Sequence, residues 1–349
     1  MNKQQIYTLV SAVILACSVI SSGYSADMVT SISKIKLGER LFNDKHLSAD
    51  GATSCATCHI PEKAFADGLR VAKGISGQLG TRNTPTLLNV NHATSLFWDG
   101  RRATLEEQAQ DPFINPREQG LKDHEAIVKA VQADTGYQSA FKQVFGASSS
   151  VITLAHITQA LAAFERSLIA VDAPYDDYVR THDTHVISES ARRGMELFQG
   201  RARCVSCHLM EAPVATFTDN QFHSLGIGYR KIEPRLAEIT THLANNRSQP
   251  LDHQIISDAE ISELGRFAVT LNPRDIAKFR TPSLRNVALT APYMHDGSIA
   301  TLEEAVDIEV YYRGIELNRP LILTPQERTD LVTFLQALTS PYVLKKQAP

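Results

Sequence analysis

The sequence carries little net charge, a single tryptophan and no long apolar run. Its formal net charge of −3 gives no basic surface of the kind that nucleic-acid-binding domains carry. The apolar stretch from Ile6 to Ile20 is too short and too polar for a comfortable transmembrane helix. Low-complexity segments and long runs of like charge are absent. Neither a nucleic-acid partner nor a membrane-spanning chain is therefore expected.

Cysteine is scarce as well, and four of its five occurrences fall in two matching pentapeptides. Residues 55–59 read Cys-Ala-Thr-Cys-His, and residues 204–208 read Cys-Val-Ser-Cys-His. This C-x-x-C-H pattern is the attachment site of a c-type haem, in which two thiols bond the vinyl groups and the adjacent His binds the iron. A zinc site would need further clustered Cys or His residues, and a redox dithiol needs no His in register. The pattern predicts two covalent haems, held by Cys55, Cys58, His59, Cys204, Cys207 and His208.

The N-terminal residues 1–26 are typical of a signal peptide. Lys3 is the only early charge, and small residues follow the apolar stretch up to Ala26. Export to the periplasm agrees with c-type haem, which bacteria attach outside the cytoplasm. Cys17 follows Ile-Leu-Ala and loosely resembles a lipoprotein cleavage site, so lipid attachment there is the alternative to cleavage near Ala26. Only a lipid on Cys17 would bring the mature protein to a membrane.

The mature chain contains an internal duplication. Residues 84–90 and 281–287 share the pattern Thr-Pro-x-Leu-x-Asn-Val, and residues 99–107 and 296–304 share Asp-Gly-x-x-Ala-Thr-Leu-Glu-Glu. The two patterns are separated by the same distance in both halves. We therefore predict two related haem domains, at 27–180 and 181–349.

The apolar spacing predicts a mostly helical chain. One helical face is formed by Ile157, Leu161, Phe164 and Leu168. Helix starts are predicted by capping boxes that begin at Thr104, Ser257, Thr301 and Thr324. The segment 172–188 is predicted to be the hinge between the domains.

The duplication also predicts a difference between the two irons. Glu309 lies eight residues after Thr301, and Pro112 lies eight residues after Thr104. A carboxylate can bind iron, whereas a proline side chain cannot. The first iron is then expected to be open to small molecules, and the second can have a further ligand suited to electron transfer.

The chain resembles the bacterial dihaem cytochrome c peroxidases, a family that includes the MauG-type enzymes. The resemblance rests on Leu-Phe-Trp-Asp-Gly-Arg at 96–101, Arg-Asn-Thr-Pro at 82–85 and Leu-Thr-Ala-Pro-Tyr-Met-His-Asp-Gly at 289–297. It implies a mainly α fold of two cytochrome c-like domains with calcium between them. The N-terminal haem would react with hydrogen peroxide, and the C-terminal haem would take electrons from a small cytochrome c or copper protein. A homodimer is one assembly open to the chain.

The resemblance also implies roles for particular residues. Trp98 would lie between the haems and help to conduct electrons. Glu118 and Gln108 match the polar residues of the peroxidatic pocket, where a carboxylate can move a proton between the two peroxide oxygens. The implied calcium ligands are Asn83, Thr290 and Pro292.

Two positions depart from the family pattern. Many members carry a loop His that caps the peroxidatic iron in the resting oxidised state, and the position here is Ile75. His92 and His124 are near enough in sequence to supply another imidazole from a displaced loop. At the second haem the family has Met or Tyr where this chain has Glu309, with Tyr311 as an alternative ligand. An oxygen ligand would stabilise ferric iron and lower the potential relative to Met.

These observations favour an exported dihaem c-type peroxidase, with three hypotheses to separate. The alternative enzyme is a MauG-type protein that uses peroxide to oxidise residues of a partner protein. The lack of a second tryptophan disfavours it, whereas Ile75 and the oxygen ligands favour it. A non-enzymatic electron carrier would need two six-coordinate irons, which Pro112 and Ile75 oppose.

Overall fold

The computed structural model describes residues 31–146, 148, 151–211 and 214–347. The predicted signal peptide and Cys17 lie outside these residues. The described chain is mainly α-helical, as predicted, with one small antiparallel pair of strands. Among the described residues, no helix combines the length and the apolar character that crossing a membrane requires.

The helices follow one another with long irregular connections. The first half contains α1 (31–43), α2 (Cys55–Cys58), α3 (Leu105–Gln108), α4 (Asp111–Ile114), α5 (His124–Ala133), α6 (Thr135–Phe145) and α7 (Leu154–Arg166). The second contains α8 (Pro174–Thr181), α9 (Glu189–Gln199), α10 (Tyr229–Ile232), α11 (Leu236–Asn245), α12 (Leu251–Ser257), α13 (Ala259–Glu263), α14 (Phe267–Thr270), α15 (Leu302–Glu316), α16 (Pro325–Gln336) and α17 (Pro341–Gln347). Strands β1 (Phe222–His223) and β2 (Phe279–Arg280) pair antiparallel.

Three of the four predicted capping boxes begin helices as expected. Thr104, Thr301 and Thr324 each accept a hydrogen bond from the backbone N–H three residues on, and the Glu at that position reaches back. The box predicted at Ser257 is wrong, because Asp258 is the residue whose carboxylate caps α13. Asp is the stronger N-cap in that pair because it accepts two backbone N–H bonds.

The predicted stripe on α7 is confirmed for three of its four residues. Ile157, Leu161 and Phe164 are buried in the first core. Leu168 packs against that core from beyond the helix, which ends at Arg166.

Each half has a hydrophobic core of its own. The first core is built mainly from α1, α5, α6 and α7, and Val343 of α17 returns to it. The second core is built mainly from α9, α15 and α16. The predicted hinge contains α8, whose Tyr175 is buried in the second core although it falls before the predicted boundary at residue 180.

The two central helices of each core pack against each other at corresponding residues. A Cβ added to Gly38 of α1 would lie 1.9 Å from the carbonyl oxygen of Ala160, and one added to Gly194 of α9 would lie 1.9 Å from that of Asp330. The ring pair Phe42–Phe164 has its centroids 5.0 Å apart. This correspondence of α1 with α9 and of α7 with α16 supports the predicted duplication.

The aromatic pair of the second half completes the match. Phe198 and Phe334 have their ring centroids 5.2 Å apart, and they occupy the same places on α9 and α16 as the first pair on α1 and α7. Position 164 therefore corresponds to position 334, and the residues that follow each of them correspond as well.

The second half contains an additional helical segment. Cys58 and Pro85 are 27 positions apart, whereas Cys207 and Pro282 are 75 apart, and the extra residues include α10 to α14. This segment has its own apolar cluster, centred on residues such as Leu243. It also binds the first half.

Hydrogen bonds fix the additional segment in place. The Arg82 guanidinium donates to the hydroxyl of Ser262 at 2.6 Å and to its carbonyl oxygen at 2.7 Å. The hydroxyl of Thr81 donates to the carbonyl oxygen of Ile255 at 2.7 Å. Because these contacts span more than 170 residues, local sequence patterns did not predict them.

Replacing Gly38 with Ala should destabilise the protein, because the new Cβ would clash with the backbone of α7. Overpacking of this kind costs about 1–3 kcal/mol, or more where backbone must move. Thermal or denaturant unfolding of the haem-loaded protein measures the change. The control is Glu39→Ala, an exposed position in the same helix. Equal stability of the two variants would contradict the close helix crossing.

Candidate functional site

The first attachment sequence forms a single tight helical turn. Thr57 accepts a hydrogen bond from the N–H of Ser54 at 2.9 Å, and the N–H of His59 donates to the carbonyl oxygen of Cys55 at 2.9 Å. The Nδ1 of His59 lies 3.0 Å from the carbonyl oxygen of Phe65. Because that carbonyl can only accept, Nδ1 carries the proton and Nε2 is the nitrogen available to a metal.

The second attachment sequence repeats this arrangement. The N–H of His208 donates to the carbonyl oxygen of Cys204 at 3.0 Å, and its Nδ1 donates to the carbonyl oxygen of Phe217 at 2.9 Å. A carbonyl oxygen that accepts a hydrogen bond from the other ring nitrogen fixes the tautomer and orientation of a metal-binding His.

Burial favours the uncharged form of both histidines and of three of the four cysteines, whereas the side chain of His223 lowers the pKa of the Cys207 thiol. Burial lowers the pKa of His208 to about 4 and also lowers the pKa of His59. Burial raises the pKa of Cys55, Cys58 and Cys204 to about 12. Neutral imidazole is the form that binds iron, and the thiols in their partly buried positions suit thioether attachment. The donor set of each site therefore fits haem c.

A cavity of about 280 Å³ lies beside the second attachment sequence. Cys204, Cys207 and His208 line it together with apolar side chains, among them Leu331 and Leu335 of α16. An apolar cavity closed on one side by the two cysteines and the His is the environment that a covalent haem requires.

A loop of the first half covers the first attachment cysteines. The side-chain amide of Gln119 donates to the sulfur of Cys55 at 3.5 Å. The carboxylate of neighbouring Glu118 is close enough to Cys58 to raise the pKa of that thiol, although burial contributes more. The N–H of Ile75 donates to the carbonyl oxygen of Glu118 at 2.9 Å. The structure thus brings together Glu118 and Ile75, which the sequence placed at the peroxidatic site.

Glu118 has an unusually basic carboxylate. Burial raises its pKa to about 7, against the opposing effect of Arg101 and with help from Asp111 and Asp252. Arg101 forms an ion pair with Asp252 of the additional segment, so part of its charge is neutralised. A carboxyl group that titrates near neutral pH can both accept and release a proton at working pH.

Pro112 and Gln108 take different positions around this loop. The carbonyl oxygen of Pro112 accepts the N–H of Gln119 at 3.1 Å, so Pro112 supports the covering loop. Gln108 is the partly buried last residue of α3, and its N–H donates to Thr104. The described contacts tie Gln108 to its own helix, not to Glu118.

Trp98 connects the first half with the second cavity. Trp98 is one of the residues that line that cavity, and its Nε1–H donates to the carbonyl oxygen of Asn83 at 2.9 Å. The N–H of Arg280 donates to the Trp98 carbonyl oxygen at 2.8 Å. Trp98 therefore belongs to one half by sequence and to the site of the other half by contact.

The three implied calcium ligands lie along the same cavity. Asn83, Thr290 and Pro292 all line it. The Asn83 side-chain nitrogen donates to the carbonyl oxygen of Leu69 at 2.9 Å, which leaves its amide oxygen for another partner. One amide oxygen and two carbonyl oxygens are hard ligands of the type that calcium takes.

The structure separates the two candidate ligands of the second iron. Glu309 lines the cavity, and burial raises its pKa to about 7 against the effect of Arg313. Tyr311 is 60% exposed and packs edge-on against Tyr312. Of the two, Glu309 lines the cavity and Tyr311 is not among its lining residues.

The family model for di-haem cytochrome c peroxidases matches residues 32–184. Cytochrome-c peroxidase IdrP1 of Pseudomonas sp. is 36% identical over 329 residues, which cover 90% of this chain and 82% of that protein. The chain belongs to the di-haem cytochrome c peroxidase family. The methylamine utilization protein MauG of Methylorubrum extorquens is 34% identical over 312 residues, covering 87% of this chain and 78% of that protein.

The fold agrees with this family. The crystal structure of a MauG-like protein associated with microbial copper homeostasis superposes with a TM-score of 0.74. The two chains are 32% identical, and the match covers 90% of this chain and 92% of that chain. A di-haem peroxidase of this family carries two haem c groups, in agreement with the two attachment sequences.

Sequence reasoning missed three polar residues at the second haem site of this di-haem peroxidase. Arg313 lines the cavity, and its guanidinium lies 3.7 Å from the sulfur of Cys207. Arg313 follows Glu309 by one helical turn, so the two side chains lie on the same face of α15. Following that face along the sequence would have identified Arg313. His223 and Asp219 form an ion pair at 2.8 Å and, with Cys207, make a cluster of ligand atoms. No spacing in the sequence indicates that pair.

Proposed function

We propose that this di-haem peroxidase reduces hydrogen peroxide to water with electrons from a small redox protein. The observation that carries the proposal is the position of Glu118, a carboxyl group with a pKa raised to about 7 beside Cys58 and Ile75. The relatives named cytochrome-c peroxidase support the same reaction. Two electrons and two protons convert each peroxide into two water molecules.

The chain's own groups prepare the first site for this reaction. When bound through Cys55, Cys58 and His59, haem iron supplies the redox centre at which peroxide is reduced. Glu118 accepts the proton of the nearer peroxide oxygen and returns it to the farther oxygen, which then leaves as water. The side chain of Ile75 has no atom that can bind iron, so it leaves peroxide free to enter.

Trp98 and the second site serve electron delivery in this proposal. Electrons from a small cytochrome c or copper protein enter the half that holds His208 and reach the first half by way of Trp98. Trp98 lines the second cavity although it belongs to the first half of the sequence. Glu309 is the proposed further ligand of the second iron, and Asn83, Thr290 and Pro292 are the proposed calcium ligands.

Replacing Trp98 with Phe should slow electron passage between the haems while both haems stay attached. The variant also loses the hydrogen bond to the Asn83 carbonyl oxygen, a loss that costs about 1–3 kcal/mol of stability for a buried group. Flash reduction of the second haem, followed by absorbance of the first, measures the transfer. An unchanged rate in a folded variant would remove Trp98 from the route.

Export is part of the proposal. C-type haem is attached outside the bacterial cytoplasm, and residues 1–26 have the composition of a signal peptide. The periplasm is therefore the proposed compartment.

Turnover with a defined electron donor tests the function. We expect purified protein to oxidise two molecules of a reduced small cytochrome c for every peroxide consumed. Donor oxidation is followed by absorbance, and peroxide is measured separately. Peroxide consumption without donor oxidation, under saturating donor, would contradict a cytochrome c donor.

A MauG-type reaction is the second candidate. Glu309 in the second cavity favours it, because an oxygen ligand lowers the potential of a haem and disfavours electron entry there. The relatives named MauG agree with this candidate. Oxidised residues in a copurified partner protein, found by mass spectrometry after peroxide addition, would favour it over the first.

A further inference from the structure

The correspondence of α7 with α16 shows one difference between the two haem sites. Since Phe164 and Phe334 occupy the same place in the two helix pairs, Glu165 corresponds to Leu335. Leu335 lines the second haem cavity together with Leu331. By this correspondence, and by its electrostatic effect on Cys55, Glu165 lies beside the first attachment site at a position where the second site has an aliphatic side chain.

Glu165 is held in the interior without a partner for one of its oxygens. The residue is 5% exposed, and among the described residues its Oε2 is buried with no hydrogen-bond partner. The carboxylate is close enough to Cys55 to raise the pKa of that thiol, and its effect is the largest after that of burial. Burying a carboxyl oxygen without a hydrogen-bond partner costs free energy.

The charges around Glu165 come from two elements. Arg166, the next residue of α7, favours its ionised form, whereas Glu106 of α3 opposes ionisation. These two residues pair with each other, with an Nη1–Oε1 distance of 2.6 Å. Cys55 of α2 is a neutral thiol at working pH and is uncharged as a thioether. Burial therefore decides the protonation state, and it raises the pKa of Glu165 to about 8.

We propose that Glu165 is a proton-binding site of the first haem pocket that takes up a proton when that haem is reduced. At a pH where Glu165 is ionised in the oxidised protein, one electron from the donor and one proton from solvent enter together, and the proton binds a carboxylate oxygen of Glu165. The net charge of the buried pocket then stays constant. The inference requires haem at Cys55 and His59 but not the peroxidase reaction.

The direction of the coupling follows from charge. Reduction removes one positive charge from the pocket, so the carboxylate binds a proton more tightly in the reduced protein. A rising pH then disfavours reduction. The midpoint potential of the first haem falls with pH between the pKa of Glu165 in the oxidised protein and its higher pKa in the reduced protein. One fully coupled proton gives a slope of about 59 mV per pH unit, the one-electron value for a tenfold change in an equilibrium constant.

Potentiometric titration of the two haems without peroxide tests the proposal. Glu118 also titrates near neutral pH, so the comparison uses the Glu118→Gln protein and the double variant with Glu165→Gln. In the Glu118→Gln protein, the midpoint potential of the first haem should still fall as pH rises, over about two pH units around the pKa of Glu165. The double variant should lose most of that slope. Equal slopes in the two proteins would overturn the proposal.

Two further variants make the result decisive. Glu165→Leu copies the second pocket and should also abolish the slope in the Glu118→Gln background. It serves if the glutamine variant does not fold. Leu335→Glu should make the midpoint potential of the second haem fall more steeply with pH than it does in the parent protein. Redox-difference infrared spectra supply a second readout. A carboxylic-acid carbonyl band that appears on reduction and vanishes with Glu165→Gln supports the proposal, and its persistence in that variant contradicts it.

Discussion

Replacing Glu118 with Gln should slow the reaction of hydrogen peroxide with the ferric protein by about 10²- to 10⁴-fold, the usual contribution of a positioned acid–base group. Gln has nearly the same shape, so the loop that covers Cys55 and Cys58 should keep its conformation. The amide cannot accept the proton of the nearer peroxide oxygen. Stopped-flow absorbance gives the second-order rate constant, and haem spectra report whether the site is intact.

The pH dependence of that rate separates a proton carrier from a structural residue. Burial raises the pKa of Glu118 to about 7. The carboxylate that accepts the proton is present above this pH and is lost below it. The rate should therefore rise as pH increases through neutrality, whereas the rate of the Gln variant should not change with pH.

A matched control is available close to the same haem ligand. Glu62 is an exposed carboxylate three residues after His59, and Glu62→Gln should leave both the rate and its pH dependence unchanged. Full activity of the Glu118 variant would reject the proton-transfer role. A similar loss in both variants would show that the effect is a general change of charge.

Replacing Ile75 with His should close the first site in the resting oxidised protein. Ile75 is 8% exposed, and its N–H is bonded to the Glu118 carbonyl oxygen. Its terminal methyl group would lie 2.7 Å from a Cβ added to Gly120, so its side chain packs under the covering loop. A His in this loop offers the imidazole that the native chain lacks there.

The expected signature is a change of spin state together with a loss of reactivity. The ferric haem should become low-spin, and prior reduction should be needed to restore reaction with peroxide, as in a two-state ligand switch. If the closed form reaches 99:1, the initial rate should fall on the order of 100-fold. Ile75→Leu is the control and should stay open. A high-spin, fast-reacting His variant would show that residue 75 does not reach the iron.

The sequence predicted those features that depend on short spacing. The C-x-x-C-H turns close through hydrogen bonds within five residues, and the capping box at Thr104 closes within four, so local pattern sufficed. The mainly helical class is confirmed for the same reason. Glu118 and Trp98 were placed by resemblance, since neither belongs to a local pattern that names its role.

The remaining features depend on contacts that are distant in sequence. The bond from Arg82 to Ser262 spans 180 positions, and it positions a segment with no counterpart in the first half. Glu165 reads as one more polar residue on α7 until the helix pairs are matched and its position is compared with Leu335. The choice between Glu309 and Tyr311 required the rotation of α15 about its axis, which the sequence left open.

Mixing the fully ferric protein with hydrogen peroxide tests whether the first iron is open in the resting protein. We expect a high-spin ferric signal from the first haem by electron paramagnetic resonance and a fast spectral change in stopped flow, without prior reduction. Two low-spin signals and no fast change would contradict this expectation, because they would mean that another side chain, such as His92 or His124, closes the site that Ile75 and Pro112 leave open.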